Sequence, residues 1–164
     1  RYLSKNPPNT GRIPQLLEMF PNAKFIYLVR NPYTVFESTR NYFTNTIRPL
    51  KFQDYDDESM TKDILDNYKE LYFKYEEDKK LIPEGNLVEM RFEDFEADPL
   101  KKMQEIYEKL SLPGFEAAEP AIAAYVNKKK GYKKNKYDYE PATVEIVEKN
   151  WDFALEKWGY KIKK

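Results

Sequence analysis

KFIYLVRNP, at residues 24–32, is the stretch that decides the fold. Its apolar run from Phe25 to Val29 is typical of a strand that a parallel sheet covers on both faces. Arg30 ends the run, and Pro32 suits the first turn of a helix that we predict to extend to about Asn45. Ligands of open α/β sheets bind in the crevice outside the carboxyl ends of the strands. The stretch therefore predicts an α/β fold with Arg30 at a ligand-binding edge.

Arg30 and Ser38, eight residues apart, are the first candidate site residues. An arginine fork can bind a phosphate through two hydrogen bonds, and a serine hydroxyl can donate a third. The alternative is a strand-end arginine that pairs with a surface carboxylate, and spacing alone does not separate the two interpretations. An anion site is thus one of two open predictions at this stage.

The amino-acid sequence of the surrounding segment favours the anion site. KFIYLVRNPYTVFESTRNYF, residues 24–43, resembles the 3'-phosphate-binding segment of the sulfotransferases that use 3'-phosphoadenosine 5'-phosphosulfate (PAPS) as the donor. The resemblance implies that Arg30 and Ser38 bind the 3'-phosphate of the donor. It also implies a P-loop NTPase-like three-layer fold, in which helices flank a parallel sheet, and a reaction that requires no metal.

Two further segments carry the same resemblance. RFEDFEADP, residues 91–99, looks like the family's aromatic-Glu-Asp segment ahead of a helix that begins with proline, which implies that Phe92 lies against the adenine. KKGYKKN, residues 129–135, is similar to the loop that closes over the 3'-phosphate. The donor contacts implied there are Lys129, Lys130, Gly131 and Lys134. By charge alone, the six lysines between Lys128 and Lys136 would be interpreted as a solvated loop.

Lys5 is the catalytic candidate. KNPPNT, residues 5–10, looks like a family segment in which the lysine contacts the transferred sulfuryl group and a nearby histidine acts as the base. Asn9 stands nearest to that histidine position, and an amide cannot remove a proton at neutral pH. Glu18 and Glu37 are the alternative bases, although we predict both to be solvated on helices.

The chain lacks the family's Gly-rich loop for the 5'-phosphosulfate, and it begins with Arg1. We therefore expect residues 1–164 to form one sulfotransferase domain whose amino-terminal portion is missing, and we expect the chain to be an incomplete catalyst by itself. About 160 residues suffice for one domain that buries roughly two-thirds of its unfolded surface.

Composition excludes several classes of protein. The 28 basic and 28 acidic residues balance, which argues against a dedicated nucleic-acid-binding protein. No run of consecutive apolar residues approaches roughly 18, the length that a membrane-spanning helix needs. Zero cysteines and zero histidines exclude disulfides, a thiolate nucleophile and the usual zinc sites. We predict a cytoplasmic location, and nothing in the pattern predicts an oligomeric state.

Helical periodicity and turn signals predict the remaining elements. A helical period, which we interpret as core packing, is followed by Ile64, Leu65, Tyr68, Leu71, Tyr72 and Tyr75. The other predictions are a strand end at Tyr2–Ser4, a turn at Pro83–Gly85, and a strand at Asn86–Arg91. We also predict helices at about Arg12–Met19, from Asp98-Pro99 onward, at Phe115–Asn127, and at Pro141–Trp158 with Gly159 as its stop.

The sequence hypothesis is therefore a PAPS-dependent sulfotransferase that acts on a hydroxyl or amine of a small molecule or a glycan. Two other classes stay open. A nucleotide-kinase-like P-loop enzyme would share the sheet, but it would need a Gly-x-x-x-x-Gly-Lys-Ser/Thr loop and magnesium. A non-catalytic interaction module would bind a partner protein through the lysine loop and through an exposed aromatic patch on the tyrosine-rich helix around residues 64–75.

Overall fold

The computed structural model describes residues 2–50, 52, 55–129 and 138–161. Mostly helical, it contains a small parallel sheet, which agrees with the predicted α/β class. Its elements in chain order are α1 (Ile13–Met19), β1 (Phe25–Val29), α2 (Pro32–Tyr42), α3 (Asp57–Asp78), β2 (Leu87–Arg91), α4 (Phe92–Ala97), α5 (Pro99–Lys109), α6 (Phe115–Lys129) and α7 (Pro141–Trp158).

The chain divides into two compact units. The first unit combines Arg1–Val29 with Glu77–Lys136, and the second combines Arg30–Glu76 with Tyr137–Lys164. Each has its own buried residues. A single domain over the whole chain stays a prediction, because compactness does not test whether the units fold independently.

The sheet belongs to the first unit. β1 and β2 pair in parallel, with Phe25 opposite Leu87 and Val29 opposite Arg91. Successive strand side chains point to opposite faces, and Ile26 and Leu28 are 42% and 44% exposed. The prediction that β1 is covered on both faces is therefore wrong for the described residues, since only the face that includes Val29 is well covered.

The first unit packs its helices against the buried side of β2. Val88 and Met90 on β2 pack with Ile106 on α5 and with Leu110 directly after that helix, and the partly buried Phe95, Met103 and Leu112 pack around them. Asp98 caps α5 by accepting a hydrogen bond from the Lys101 amide at 3.2 Å, and Pro99 occupies the first turn. The predicted start of this helix is confirmed.

The second unit consists mainly of α2, α3 and α7. Trp151 is fully buried at its centre, with its ring centroid 4.0 Å from that of Tyr68 and 5.8 Å from that of Phe36. The indole Nε1 donates to the Leu65 carbonyl at 3.1 Å. Backbone geometry at Trp151 is not helical, so α7 consists of two segments joined at that residue.

Several predicted boundaries are confirmed, and two are not. α7 ends at Gly159, whose φ of 65° is the left-handed conformation that glycine adopts at helix ends. The helix predicted to reach Asn45 ends at Tyr42 and continues as a π-helical turn over Phe43–Ile47. Tyr2–Ser4 forms no strand, because none of its residues pairs with the sheet.

No helix in the described part of the chain combines the length and the apolar character needed to cross a bilayer.

Candidate functional site

Arg30 and Ser38 both lie in the second unit. Arg30, which is half-buried, follows directly after β1. The next residue, Asn31, caps α2: its Oδ1 accepts a hydrogen bond from the Tyr33 amide at 3.0 Å. α2 therefore presents its partially positive amino terminus next to Arg30, which suits an anion.

Arg30, Thr34 and Ser38 are spaced four residues apart. Thr34 and Ser38 lie one turn apart on one side of α2, whereas Arg30 precedes the helix cap Asn31. We refer to these three residues as the α2 polar stripe. All three are half-buried, so each keeps part of its surface accessible. A cation just before a helix and two hydroxyls along one side of that helix can bind a phosphate group and contribute no negative charge of their own.

Three side-chain hydrogen bonds join α2 to the segment 139–148. The hydroxyls of Thr34 and Tyr139 are 2.6 Å apart. Thr143 Oγ1 donates to Glu37 Oε1 at 2.6 Å, and the Tyr33 hydroxyl donates to Glu148 Oε1 at 3.1 Å. We call these three contacts the α2–α7 clasp, although Tyr139 itself lies just before α7.

Sequence reasoning did not find the clasp. Its partners are more than 100 residues apart in the chain, and helical or strand periodicity carries no information at that separation. The clasp also corrects the prediction for Glu37. Its carboxylate is half-buried and accepts a hydrogen bond from the buried Thr143, whereas Glu18 is exposed as predicted. A role as general base is thereby disfavoured for Glu37.

Lys5, Phe92 and Lys129 lie in the first unit. Lys5 is exposed on the segment before a 3₁₀ turn, and Phe92 is half-buried as the first residue of α4. Lys129, the last residue of α6, is exposed and places its Nζ 5.7 Å from the centroid of the Tyr125 ring. Lys130, Gly131 and Lys134 lie outside the described residues.

The residue before Phe92 has a defined partner. Arg91 donates to both carboxylate oxygens of Asp94, at 3.1 and 2.7 Å. This hydrogen bonding holds the pKa of Asp94 below its usual range. The contact fixes the first turn of α4, a helix that the sequence analysis did not predict, and Phe92 starts that turn.

Two further features of the described residues concern metal binding and a surface cleft. Among the described residues, no group of three or more Asp, Glu, His or Cys side chains could hold a metal ion. An open cleft at the turn between α5 and α6 is lined by residues that include Tyr107, Ser111 and Phe115, and it contains none of the predicted site residues.

Tyr33 provides a prediction for alkaline pH. Its side chain is 2% exposed, and burial followed by the hydrogen bond to Glu148 raises its pKa from 10.0 to about 12. The protonated phenol thus stabilises the fold fully below pH 10, and this stability is lost as the pH rises from 10 toward 12. We expect Tyr33 to account for a loss of about 1 kcal/mol between pH 8 and pH 11.

Urea unfolding at pH 8 and pH 11 measures that loss. Tyr68, whose pKa is also raised by burial, contributes to the wild-type slope. The comparison with Tyr33→Phe isolates Tyr33, since the variant keeps the ring and should lose less stability between the two pH values. Identical losses in both proteins would contradict the prediction.

Comparisons with known proteins agree with the sequence resemblance. Residues 1–117 match the profile of the sulfotransferase family. The omega-hydroxy-beta-dihydromenaquinone-9 sulfotransferase Stf3 of Mycobacterium bovis is 33% identical over 156 residues, which cover 95% of this chain and 40% of that protein. Stf3 of Mycobacterium tuberculosis gives the same identity and the same coverage. The chain thus spans less than half the length of these relatives, and no solved structure matches it.

Proposed function

The chain belongs to the sulfotransferase family, and from that premise we propose that the protein transfers a sulfuryl group from PAPS to a hydroxyl or amine acceptor. The observation that carries the proposal is the α2 polar stripe. It combines Arg30, which lies between β1 and the cap of α2, with Thr34 and Ser38 on one side of α2. A donor with a separate 3'-phosphate needs a second anion site apart from the reacting group, and the stripe supplies residues suited to one.

Sulfuryl transfer resembles phosphoryl transfer. Attack is in line, the transition state is loose, and catalysis consists mainly of positioning and of stabilising negative charge. We assign Arg30 the bidentate contact with the 3'-phosphate and Ser38 a hydrogen bond from its hydroxyl. These contacts bind the nucleotide away from the reacting sulfur, so they orient the donor. Cationic side chains can supply the charge stabilisation without a metal.

We also propose roles for the other site residues that the sequence resemblance implies. Phe92 is proposed to stack on the adenine, and Lys5 to contact the sulfuryl group. The lysine-rich segment is proposed to contact the 3'-phosphate through Lys129, Lys130, Gly131 and Lys134. The exposed positions of Lys5 and Lys129 leave both side chains accessible to an anionic ligand.

The acceptor is proposed to be an alcohol. The two Stf3 relatives are named as sulfotransferases of an omega-hydroxy compound. We extend only the hydroxyl to this chain, and a carbohydrate hydroxyl belongs to the same chemical class. A cytoplasmic location likewise stays a prediction.

The alternatives have less support. Family membership disfavours a nucleotide kinase. The interaction-module hypothesis relied on an exposed aromatic patch and on the lysine loop, most of which lies outside the described residues. In the helix, Tyr72 and Tyr75 are only 6% and 2% exposed, and Tyr68 stacks on Trp151. The tyrosine-rich helix therefore contributes its aromatic rings mainly to the core of the second unit.

Calorimetric titration with 3'-phosphoadenosine 5'-phosphate (PAP) and with 5'-AMP tests the proposal. We expect the chain, or a longer polypeptide that contains it, to bind PAP at least about tenfold more tightly, because charged hydrogen bonds to the 3'-phosphate are worth roughly 1.5–3 kcal/mol. Magnesium should leave this ratio unchanged. Equal affinities for the two nucleotides would refute the assignment of the donor.

A further inference from the structure

We propose that Tyr139 forms a wall of the 3'-phosphate site and that Thr34 is the positioning residue that holds it there. The inference deepens the proposed function and rests on it. Neither residue has a role implied by the sequence resemblance. The placement of Tyr139 follows from the tertiary structure, because its partner Thr34 is 105 positions earlier in the chain.

Position on the helix is the first argument. Thr34 lies one helical turn before Ser38 on α2 and four residues after Arg30, which precedes the helix, so it is the middle member of the α2 polar stripe in chain order. Its hydroxyl is 2.6 Å from that of Tyr139. A phosphate that contacts both Arg30, before the helix, and Ser38, on its second turn, would extend past Thr34, and Thr34 holds Tyr139 at that position.

Accessibility is the second argument. Thr34 and Tyr139 are half-buried, as are Arg30 and Ser38. The ring of Tyr33 supports Tyr139 from one side, at a centroid distance of 5.4 Å, and Tyr33 itself is 2% exposed. Tyr139 therefore has a buried backing and an accessible remainder, as a side chain at the wall of a binding site should have.

Charge is the third argument. Glu37 immediately precedes Ser38, and a carboxylate turned toward the stripe would repel a phosphate. The hydrogen bond from Thr143 engages this carboxylate instead. The clasp therefore has two effects on the stripe. It holds the Tyr139 phenol beside Thr34, and it engages the Glu37 carboxylate in a hydrogen bond from Thr143.

The experiment measures PAP and 5'-AMP affinity for three variants: Thr34→Val, Tyr139→Phe and the double variant. Each single variant should bind PAP about three- to tenfold more weakly, as expected for the loss of one hydrogen bond. Affinity for 5'-AMP should stay within twofold of wild type. Because the two side chains act through one contact, the double variant should lose little more than either single variant.

Two controls separate positioning from general stability. Thr34→Ser keeps the hydroxyl and should restore PAP affinity to within about twofold of wild type. Tyr55→Phe removes a tyrosine hydroxyl that donates to Asp63 on α3, elsewhere in the second unit, and should leave the ratio of PAP to 5'-AMP affinity unchanged.

The outcomes are distinguishable. A wild-type preference for PAP that Thr34→Val and Tyr139→Phe both retain would overturn the role of Tyr139 and leave the proposed function standing. A similar loss of affinity for both nucleotides would show that the contact between Thr34 and Tyr139 is purely structural, and it would likewise overturn the role of Tyr139. Absence of any wild-type preference would overturn the proposed function and this inference together.

Discussion

Arg30→Ala is expected to weaken PAP binding by tenfold to a hundredfold and to leave 5'-AMP binding nearly unchanged. A hydrogen bond from a charged donor is worth roughly 1.5–3 kcal/mol, and each 1.4 kcal/mol is a tenfold change in affinity. Arg30 stands at the carboxyl end of β1 on the α2 polar stripe, so its loss removes the only charged member of that stripe. Titration calorimetry with both nucleotides measures the two affinities in one protein preparation.

Two further variants sharpen the result. Arg30→Lys keeps the charge but loses the planar fork, so we expect a PAP affinity between those of wild type and Arg30→Ala. Arg40→Ala removes a cation from α2, two positions beyond Ser38 and hence on the side of the helix opposite to Ser38. That control should change PAP affinity less than twofold. An Arg30→Ala protein that binds PAP within twofold of wild type would refute the proposed donor site.

Trp151→Ala is expected to reduce the free energy of unfolding by roughly 3–5 kcal/mol, the usual cost of deleting a buried aromatic side chain. Trp151 has no exposed surface, it contacts the rings of Phe36 and Tyr68, and its Nε1 hydrogen bond to Leu65 ties α7 to α3. Natural domains have about 5–15 kcal/mol of stability in total. The variant should therefore lose a large share of it.

Urea unfolding followed by far-ultraviolet circular dichroism measures this loss, because fluorescence would be altered by the removal of one of two tryptophans. Glu145→Ala, at an exposed position of the same helix, serves as the matched control and should stay within about 0.5 kcal/mol of wild type. A Trp151→Ala protein that loses less than 1 kcal/mol would show that Trp151 is not central to the second unit.

Elements whose signals are local were predicted from the sequence. The apolar run Phe25–Val29 forms β1, and α7 ends at Gly159, the residue predicted to stop it. Hydrophobic period, caps and helix-stopping residues act within a few positions, so the sequence carries them directly.

The burial of side chains and their long-range hydrogen-bond partners could not be predicted in this way. The same apolar run that predicts β1 also predicted cover on both faces, but the exposure of Ile26 and Leu28 depends on which elements pack against the sheet. The polar pattern that suggested a solvated Glu37 contains no trace of Thr143, its partner 106 positions later. Such facts come from long-range packing, which local periodicity does not encode.

The sequence by itself determined the family resemblance and the strand-arginine-helix order, and it predicted residues that would bind an anion, since all of these depend on neighbouring positions in the chain. Only the tertiary structure decided that Tyr139 contacts Thr34 on α2 and that Glu37 is engaged by Thr143. The physical reason is that hydrogen bonds between distant residues form only after the helices that carry them have packed.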